Sequence, residues 1–143
     1  MPTPIGNFFM KTLVNSPLHP LLGKSIAVIT ITGYKTGKPI ETPINVVRVG
    51  EALMVISMPN RTWWRNLRGG RMARLRHLGK IIPVRGEVVE TSAEVAAGLA
   101  DYFTQYPGYA KYFKVRLDPV GKPDPQELES VARERVIINL RAA

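Results

Sequence analysis

The feature that most constrains the fold of this chain is a series of short β-type segments joined by very short, glycine-containing connections. Residues 25–32 (SIAVITIT) are rich in β-branched side chains, and Gly33 and Gly37 separate them from a second such segment. Strands joined by so few residues turn back on one another, which indicates an antiparallel sheet. The predicted strands are residues 25–32, 40–49, 52–57, 72–78, 80–91 and 135–140.

Helical patterns flank and follow these strands. Thr91 and Ser92 precede an amphipathic segment over residues 93–106, and Pro107 with Gly108 ends it. Shorter helical segments are predicted at residues 5–13, 60–68, 109–115 and 126–133, the second of them with Asn60 as its N-cap. The chain is therefore predicted to be α+β: a mostly antiparallel split β-barrel of about six strands with three or four short covering helices, forming one domain over residues 1–143.

Composition excludes several classes of protein. The chain has no cysteine, so it has no disulfide framework and no thiolate chemistry. His19 and His77 lie far apart without carboxylates at ligand spacing, and no metal site is expected. No apolar run approaches the roughly 20 residues of a membrane-spanning helix. A cytoplasmic location is expected; a peripheral membrane contact through the apolar stripe of residues 5–13 is the alternative to core packing of that stripe.

The charge is concentrated in one half of the sequence. Residues 1–86 contain 13 lysines and arginines against two acidic residues, whereas residues 87–143 contain seven against nine. Residues 52–86 contain no acidic residue at all. A one-sided positive field attracts phosphates, polycarboxylates, nucleic acid or an anionic membrane. Because the acidic residues are segregated in the other half, we predict an anion-binding face.

A glycine- and lysine-rich loop, TGYKTGKP at residues 32–39, is the first candidate site. Glycine allows backbone N–H groups to point into a concavity, and Lys35, Thr36 and Lys38 add two cations and a hydroxyl. These are groups that bind a phosphate. The spacing is not that of a P-loop. A plain hairpin with solvated lysines is the alternative.

Two aromatic segments are further candidates. Both tryptophans, Trp63 and Trp64, are adjacent and interleaved with arginines, so one ring can enter the core while the other lines a pocket for a planar heterocycle. Tyr109 and Tyr112 stand three residues apart, on one helical face, where their hydroxyls can reach a carbonyl or nitro oxygen of a substrate. Simple packing is the alternative in both segments.

Taken together, these segments resemble the deazaflavin-dependent nitroreductase and quinone reductase family of small split-barrel proteins that use reduced F420. The loop pattern T-G-R-K-S-G-K-P-R-x-T-P-L of that family is represented by TGYKTGKPIETPI at residues 32–44. The element W-[YW]-x-N-L is represented by WWRNL at residues 63–67, and the Y-x-x-Y element by residues 109–112. The resemblance covers most of the chain, in order.

The resemblance implies an oxidoreductase that transfers a hydride from F420H2 to an apolar acceptor, namely a quinone, a nitro compound or an activated alkene. The loop at residues 35–38 would hold the cofactor phosphate, and Arg71, Arg74, Arg76 and Lys80 would flank its oligoglutamate tail. FMN is the alternative cofactor. The implied cofactor-binding residues are Lys35, Thr36, Gly37, Lys38, Thr42, Pro43, Ser57, Met58, Asn60, Trp63, Trp64 and Asn66.

Two positions depart from the family pattern. Tyr34 and Ile40 stand where the family has arginines, and SMPN at residues 57–60 stands where active quinone reductases often have S-x-G-G. Pro59 has no N–H, so backbone donation to the ring must differ there. No catalytic residue is assigned; Tyr109 and Tyr112 are the candidates for the substrate pocket.

Other function classes stay open at this stage. A split barrel can also bind F420, FMN or an apolar ligand such as a fatty acid without catalysing a reaction. An arginine-rich nucleic-acid-binding module is a third interpretation, but the chain has no recognised binding motif, and no specific nucleic acid is expected. A homodimer is compatible with the sequence.

Overall fold

The computed structural model describes residues 26–143, and the predicted helix at residues 5–13 and His19 lie outside them. The strands are β1 (Ile26–Thr32), β2 (Pro39–Asn45), β3 (Val47–Val49), β4 (Ala52–Ser57), β5 (Met72–His77), β6 (Lys80–Val89) and β7 (Val136–Ala142). The helices are the 3₁₀ helix η1 (Trp63–Leu67), α1 (Ser92–Gln105), the 3₁₀ helix η2 (Pro107–Phe113) and α2 (Pro125–Ala132).

The described strands form one seven-stranded sheet in the order β2-β1-β5-β6-β7-β4-β3. β1 pairs antiparallel with β2, so that Thr30 lies opposite Glu41, and also with β5, so that Thr30 lies opposite Arg74. β3 with β4 and β5 with β6 are antiparallel pairs too. The predicted α+β class with a mostly antiparallel sheet is confirmed.

The predicted count of about six strands is too low by one. Residues 40–49 were expected to form one strand, but the segment divides into β2 and β3, which pair with β1 and β4 respectively. The division falls at Val46, which is buried at 3% exposure. The two strands are separated by their different partner strands, and both halves contain β-branched residues, so the sequence pattern did not reveal the break.

The described residues fall into two compact units. The first contains residues 26–55 together with Thr62–Val88 and Asn139–Ala143, and the second contains Ile56–Arg61 and Val89–Ile138. The prediction of one domain over residues 1–143 stays a prediction.

The core of the first unit is built from the inward faces of β1, β5 and β6. Ile29 and Leu75 lie opposite each other across the β1–β5 pair and are both fully buried. Leu67 at the end of η1 is also fully buried, and its side chain lies against Gly86 of β6: a Cβ at Gly86 would stand 3.0 Å from Leu67 Cδ1. Glycine at residue 86 therefore allows η1 to approach the sheet closely.

The core of the second unit is built on α1, which contacts η2 and α2. Val95, Leu99 and Phe103 are fully buried and recur at the spacing of one helix face. Thr91 is the N-cap, and its hydroxyl accepts a hydrogen bond from the Glu94 N–H, as predicted from the sequence.

The start of η1 differs from the prediction. The helix begins at Trp63 with Thr62 as its N-cap, and not after Asn60. The Arg61 N–H donates to the Met58 carbonyl at 3.0 Å, which places Asn60 inside a turn before the helix.

Candidate functional site

The loop at residues 32–39, hereafter the lysine loop, joins β1 to β2 as a tight turn. The Gly33 N–H donates to the Lys38 carbonyl at 2.8 Å, and the Gly37 N–H donates to the Gly33 carbonyl at 2.8 Å. Gly37 has φ +72°, a conformation that residues with a Cβ rarely adopt. These contacts fix the backbone, so the loop presents a defined surface.

Gly33 is required by space. A Cβ there would stand 3.0 Å from Thr36 Oγ1 and 3.2 Å from Ile40 Cδ1. The Thr36 and Ile40 side chains thus lie close to Gly33, and Thr36 Oγ1 also accepts a hydrogen bond from the Lys38 N–H at 3.2 Å.

The outer edge of the lysine loop has free donors. Lys35 and Lys38 are exposed, and neither forms an ion pair with a residue in the described part of the chain. The amides of Lys35 and Thr36 donate to no group within residues 26–143. Two ammonium groups and two adjacent N–H groups are a donor set suited to a phosphate.

Asn66 joins the lysine loop to η1. Its Oδ1 accepts a hydrogen bond from the Tyr34 N–H at 2.9 Å, and its Nδ2 donates to the Trp63 carbonyl at 3.0 Å. Among the described residues, Asn66 is the one buried side chain that carries an amide or a charge, at 7% exposure. Burial of an amide is costly unless both ends are bonded, and here both are.

The two tryptophans of η1 are largely core residues. Trp64 is 2% exposed and Trp63 is 9% exposed. The Arg65 and Arg68 guanidinium groups lie 5.5 Å and 5.1 Å from the centroid of the Trp64 ring. Trp63 keeps slightly more exposed surface than Trp64, and the expectation that one of the two rings lines a pocket stays a prediction.

The remaining cofactor-binding candidates lie in two places. Thr42 and Pro43 are half-buried in β2, opposite Ile29 and Val28 of β1. Ser57, Met58 and Asn60 belong to the second unit, where Ser57 is half-buried and the other two are exposed. Within the first unit, the structure thus joins the lysine loop, β2 and η1.

The second unit contains a cluster of aromatic rings, which we call the tyrosine cluster (Tyr102, Tyr106, Tyr109 and Tyr112). Tyr109 stacks on Tyr102 with ring centroids 5.8 Å apart and an angle of 16° between the planes. Tyr112 lies 6.2 Å from Tyr109 and is 71% exposed, whereas Tyr109 is 42% exposed. Residues three apart eclipse on a 3₁₀ helix, which explains why Tyr109 and Tyr112 share a face of η2.

Burial distinguishes Tyr102 from the other members of the cluster. Its side chain is 8% exposed. Burial raises the pKa of Tyr102 from 10.0 to about 12, and the neighbouring Tyr109 and Tyr106 add smaller contributions in the same direction. Tyr102 is therefore a neutral packing residue over the physiological range. Tyr109 and Tyr112 are the exposed members of the cluster, and the half-buried Tyr106 accepts a hydrogen bond at its hydroxyl from Gln105 Nε2 at 3.2 Å.

The arginines and lysine expected to flank an anionic tail are exposed in the first unit. Arg74 and Arg76 stand two residues apart in β5 and so share its outer face. Arg71 precedes that strand, and Lys80 begins β6. Residues 26–143 contain no group of three or more His, Asp or Glu side chains able to hold a metal ion, and none of their helices is long and apolar enough to span a membrane.

The family to which the sequence belongs is decided by a match over most of its length. Residues 8–118 match the family described as F420H2-dependent quinone reductase. The chain belongs to this family. Membership implies coenzyme F420 as the cofactor and confirms the resemblance seen in the motifs. No protein of curated function matches the sequence significantly.

Solved structures give the same fold at low sequence identity. Protein Atu2129 of Agrobacterium tumefaciens, of unknown function, is 16% identical with a TM-score of 0.54; the match covers 85% of this chain and 50% of that one. The FAD and heme binding protein of Mycobacterium smegmatis is 17% identical with a TM-score of 0.52, over 86% of this chain and 63% of that one. An F420-H2 dependent reductase is 19% identical with a TM-score of 0.49, over 81% of this chain and 94% of that one. At these identities the likeness to the first two shows the fold alone, and the third, with a TM-score below 0.5, adds no support.

Several structural features were not found from the sequence. The contact between Asn66 and Tyr34 joins residues 32 positions apart, and no local pattern indicates it. Tyr102 and Tyr106 add two rings to the pair formed by Tyr109 and Tyr112. Their spacing of four residues predicts neighbouring side chains on one helix face, and this pattern was present in the sequence.

Proposed function

We propose that this member of the F420H2-dependent quinone reductase family is an oxidoreductase that transfers a hydride from F420H2 to a quinone, a nitro compound or an activated alkene. The observation that carries the proposal is the hydrogen bond from the Tyr34 N–H to Asn66 Oδ1. It couples the lysine loop to η1, which are the two family motifs of the first unit. A packing role for either motif alone does not require this buried polar contact.

The lysine loop fits the phosphate of such a cofactor. Its free N–H groups at Lys35 and Thr36 and the ammonium groups of Lys35 and Lys38 are all donors, and no carboxylate of the described chain is paired with them. Charge-assisted hydrogen bonds to a phosphate are each worth about 1.5–3 kcal/mol. In this proposal the loop binds the phosphate, Thr42 and Pro43 border the ribityl chain, and Ser57, Met58, Asn60, Trp63, Trp64 and Asn66 border the ring.

A second group of exposed cations in the first unit supports the binding of an anionic cofactor. Arg71, Arg74, Arg76 and Lys80 are exposed in a segment with no acidic residue between positions 52 and 86. A row of exposed cations attracts a polycarboxylate and raises its association rate. We assign to these residues the oligoglutamate tail. This charge distribution favours F420 over FMN, whose one terminal phosphate needs fewer cations.

Bound in its reduced form, the deazaflavin supplies the hydride. The contribution of the protein is to bind and orient the cofactor and to stabilise the charge that develops on the acceptor. A quinone or nitro oxygen gains negative charge when the hydride arrives, and a phenolic O–H can donate to that oxygen. The exposed hydroxyls of Tyr109 and Tyr112 are the donors we assign to this role.

The test is a turnover assay with purified protein, F420H2 and one acceptor of each class: menadione, a nitroimidazole and a cyclohexenone. We expect F420H2 to be oxidised faster with protein than without it for at least one acceptor, and FMNH2 to be a poorer donor. If the protein binds F420 but supports no turnover, the chain is a non-catalytic binder. If it binds FMN and not F420, the cofactor assignment is wrong.

A further inference from the structure

The first unit contains a cavity of about 430 Å³ that is lined by three arginines, hereafter the arginine cavity. It is formed by three segments: the end of η1 with the two glycines that follow it, the second half of β6, and the end of β7. The lining residues are Arg68, Gly69, Gly70, Arg85, Gly86, Glu87, Val88, Arg141 and Ala142. It shares no residue with the lysine loop or with the row of cations at Arg71, Arg74, Arg76 and Lys80.

The wall formed by the two glycines is fixed by backbone geometry. Gly69 and Gly70 have φ +85° and +77°, so both lie in the left-handed region. The Arg71 N–H donates to the Leu67 carbonyl at 3.3 Å, and the Gly86 N–H donates to the Arg71 carbonyl at 3.0 Å. These bonds tie the turn to β6 and place the Gly70 carbonyl beside Arg85.

Arg85 is held in place yet keeps most of its donors free. Its Nη1 donates to the Gly70 carbonyl at 2.6 Å. The guanidinium has five N–H donors, and the described chain satisfies this one alone. Since the side chain is already oriented, binding an anion would cost little further rotamer entropy.

Arg141 and Glu87 complete the charge pattern. The Arg141 side chain forms no hydrogen bond or ion pair with any residue in the described part of the chain. Glu87 is the single acidic residue of the lining, and its Oε1 accepts a hydrogen bond from Asn139 Nδ2 at 3.3 Å. Glu87 forms no ion pair with Arg85 or Arg141, so two exposed arginines and one hydrogen-bonded carboxylate line the cavity, while the Arg68 guanidinium lies 5.1 Å from the centroid of the Trp64 ring.

We infer that the arginine cavity binds a small organic anion carrying two or more carboxylate or phosphate groups, at a site separate from the lysine loop. Like charges brought together repel, and a multivalent anion removes that repulsion. The planar fork of arginine matches carboxylate and phosphate oxygens in a bidentate manner, which favours these groups over halide or other spherical anions. The inference does not depend on the proposed reductase activity, because no residue of the cavity has a role in it.

The test is isothermal titration of the full-length protein with pyrophosphate and, separately, with citrate. We expect Arg85→Ala/Arg141→Ala to weaken one binding site at least tenfold for one or both probes, whether or not pyrophosphate also occupies the lysine loop. The matched control is Arg116→Ala/Arg133→Ala, two exposed arginines of the second unit, which should leave the affinity unchanged. Equal binding by the wild type and the Arg85/Arg141 variant would overturn the inference.

The lysine-loop variant separates the two anion sites. Lys35→Ala/Lys38→Ala should keep the affinity of the site that Arg85→Ala/Arg141→Ala weakens within twofold. If this variant loses the probe as strongly as the Arg85/Arg141 variant does, the anion binds in the lysine loop and a separate site is excluded. If the Arg85/Arg141 variant loses F420 by the same factor as the probe, the cavity is part of the cofactor site and the inference again fails.

A charge variant tests the inference in the opposite direction. Glu87→Gln removes the one negative charge of the lining while its amide oxygen still accepts from Asn139, so the local packing is kept. We expect the variant to bind the probe about two- to fivefold more tightly. Unchanged or weaker binding, in a variant whose urea unfolding matches the wild type, would show that the negative charge of Glu87 does not oppose anion binding. That result would contradict the inference.

Discussion

The lysine loop and the tyrosine cluster are the two regions on which the proposed function depends, and they are held in place by different kinds of interaction. The loop is fixed by backbone hydrogen bonds and by the buried amide of Asn66. The cluster is fixed by ring packing, with Tyr109 stacked on Tyr102. In the loop, the groups available for binding are main-chain N–H groups and lysine ends. In the cluster they are the hydroxyls of Tyr109 and Tyr112.

This difference determines which substitutions separate structure from function in each region. In the loop, the backbone is the binding surface, so a change that moves the backbone impairs binding even when it removes no ligand contact. In the cluster, the rings pack against one another and the hydroxyls are the groups proposed to donate to a substrate. A Tyr→Phe substitution therefore removes the hydroxyl and keeps the ring packing. The predictions below test this distinction, from the largest expected effect to the smallest.

Loss of the Asn66 amide should have the largest effect. Asn66→Ala leaves the buried Trp63 carbonyl and the part-buried Tyr34 N–H without their partner, which costs about 1–3 kcal/mol of unfolding free energy. The loop also loses its attachment to η1, so we expect the F420 affinity to fall by about 10- to 100-fold. Urea unfolding and a fluorescence titration with F420 measure the two effects.

Asn45→Ala is the matched control for this variant, because Asn45 is an exposed asparagine at the end of β2 in the same unit. Asn45→Ala should change neither the free energy of unfolding nor the F420 affinity. If Asn66→Ala destabilises the fold and F420 affinity stays at the wild-type value, the loop does not depend on η1 for its binding geometry.

The buried member of the tyrosine cluster should give the protein an alkaline stability limit. The pKa of Tyr102 is about 12 in the folded state and 10.0 ordinarily, so the unfolded chain loses this proton first as the pH rises. The contribution is fully present below pH 10 and is lost between about pH 10 and 12, by on the order of 2 kcal/mol. Unfolding free energies measured across this window should fall more steeply in the wild type than in Tyr102→Phe.

The same pH series distinguishes burial from a general alkaline effect. Lysines titrate in both proteins, so only the difference between the wild type and Tyr102→Phe reports on this phenol. Parallel curves for the two proteins would show that Tyr102 is not buried in a way that opposes its ionisation.

The exposed members of the cluster should affect turnover and leave cofactor binding unchanged. Tyr109→Phe and Tyr112→Phe keep the ring contacts and remove only an O–H donor. We expect kcat for a quinone or nitro acceptor to fall about tenfold or more in each variant, the loss typical of a transition-state donor, with F420 affinity near the wild-type value. Wild-type turnover in both variants would assign the tyrosines to packing and place the substrate pocket elsewhere.

Local patterns in the sequence predicted those features that depend on neighbouring residues. The glycines and lysines of the loop, the Thr91 cap of α1 and the three-residue spacing of Tyr109 and Tyr112 all appear in the structure as expected. The family motifs added the cofactor, which the family match confirms. In each case the signal and the structure it specifies lie within a few residues of each other.

Long-range pairing is what the sequence did not predict. The division of residues 40–49 into β2 and β3 follows from two different partner strands, and the Asn66 contact follows from a loop 32 residues away. The arginine cavity is lined by residues 68, 85 and 141. These residues lie far apart in the sequence, so no local pattern indicates that they line one cavity. The shift of the η1 cap from Asn60 to Thr62 reflects the turn closed by Met58 and Arg61, which competes with the helix for those residues.

The most direct test of the account is the equilibrium affinity for F420 of the wild type and of Lys35→Ala/Lys38→Ala, measured by fluorescence titration. Lys114→Ala/Lys122→Ala, which removes two exposed lysines of the second unit, is the control for net charge. The account predicts that the loop variant binds F420 at least tenfold more weakly than the wild type and that the control binds within twofold of it. Equal affinity in the wild type and the loop variant would contradict the assignment of the lysine loop to the cofactor phosphate.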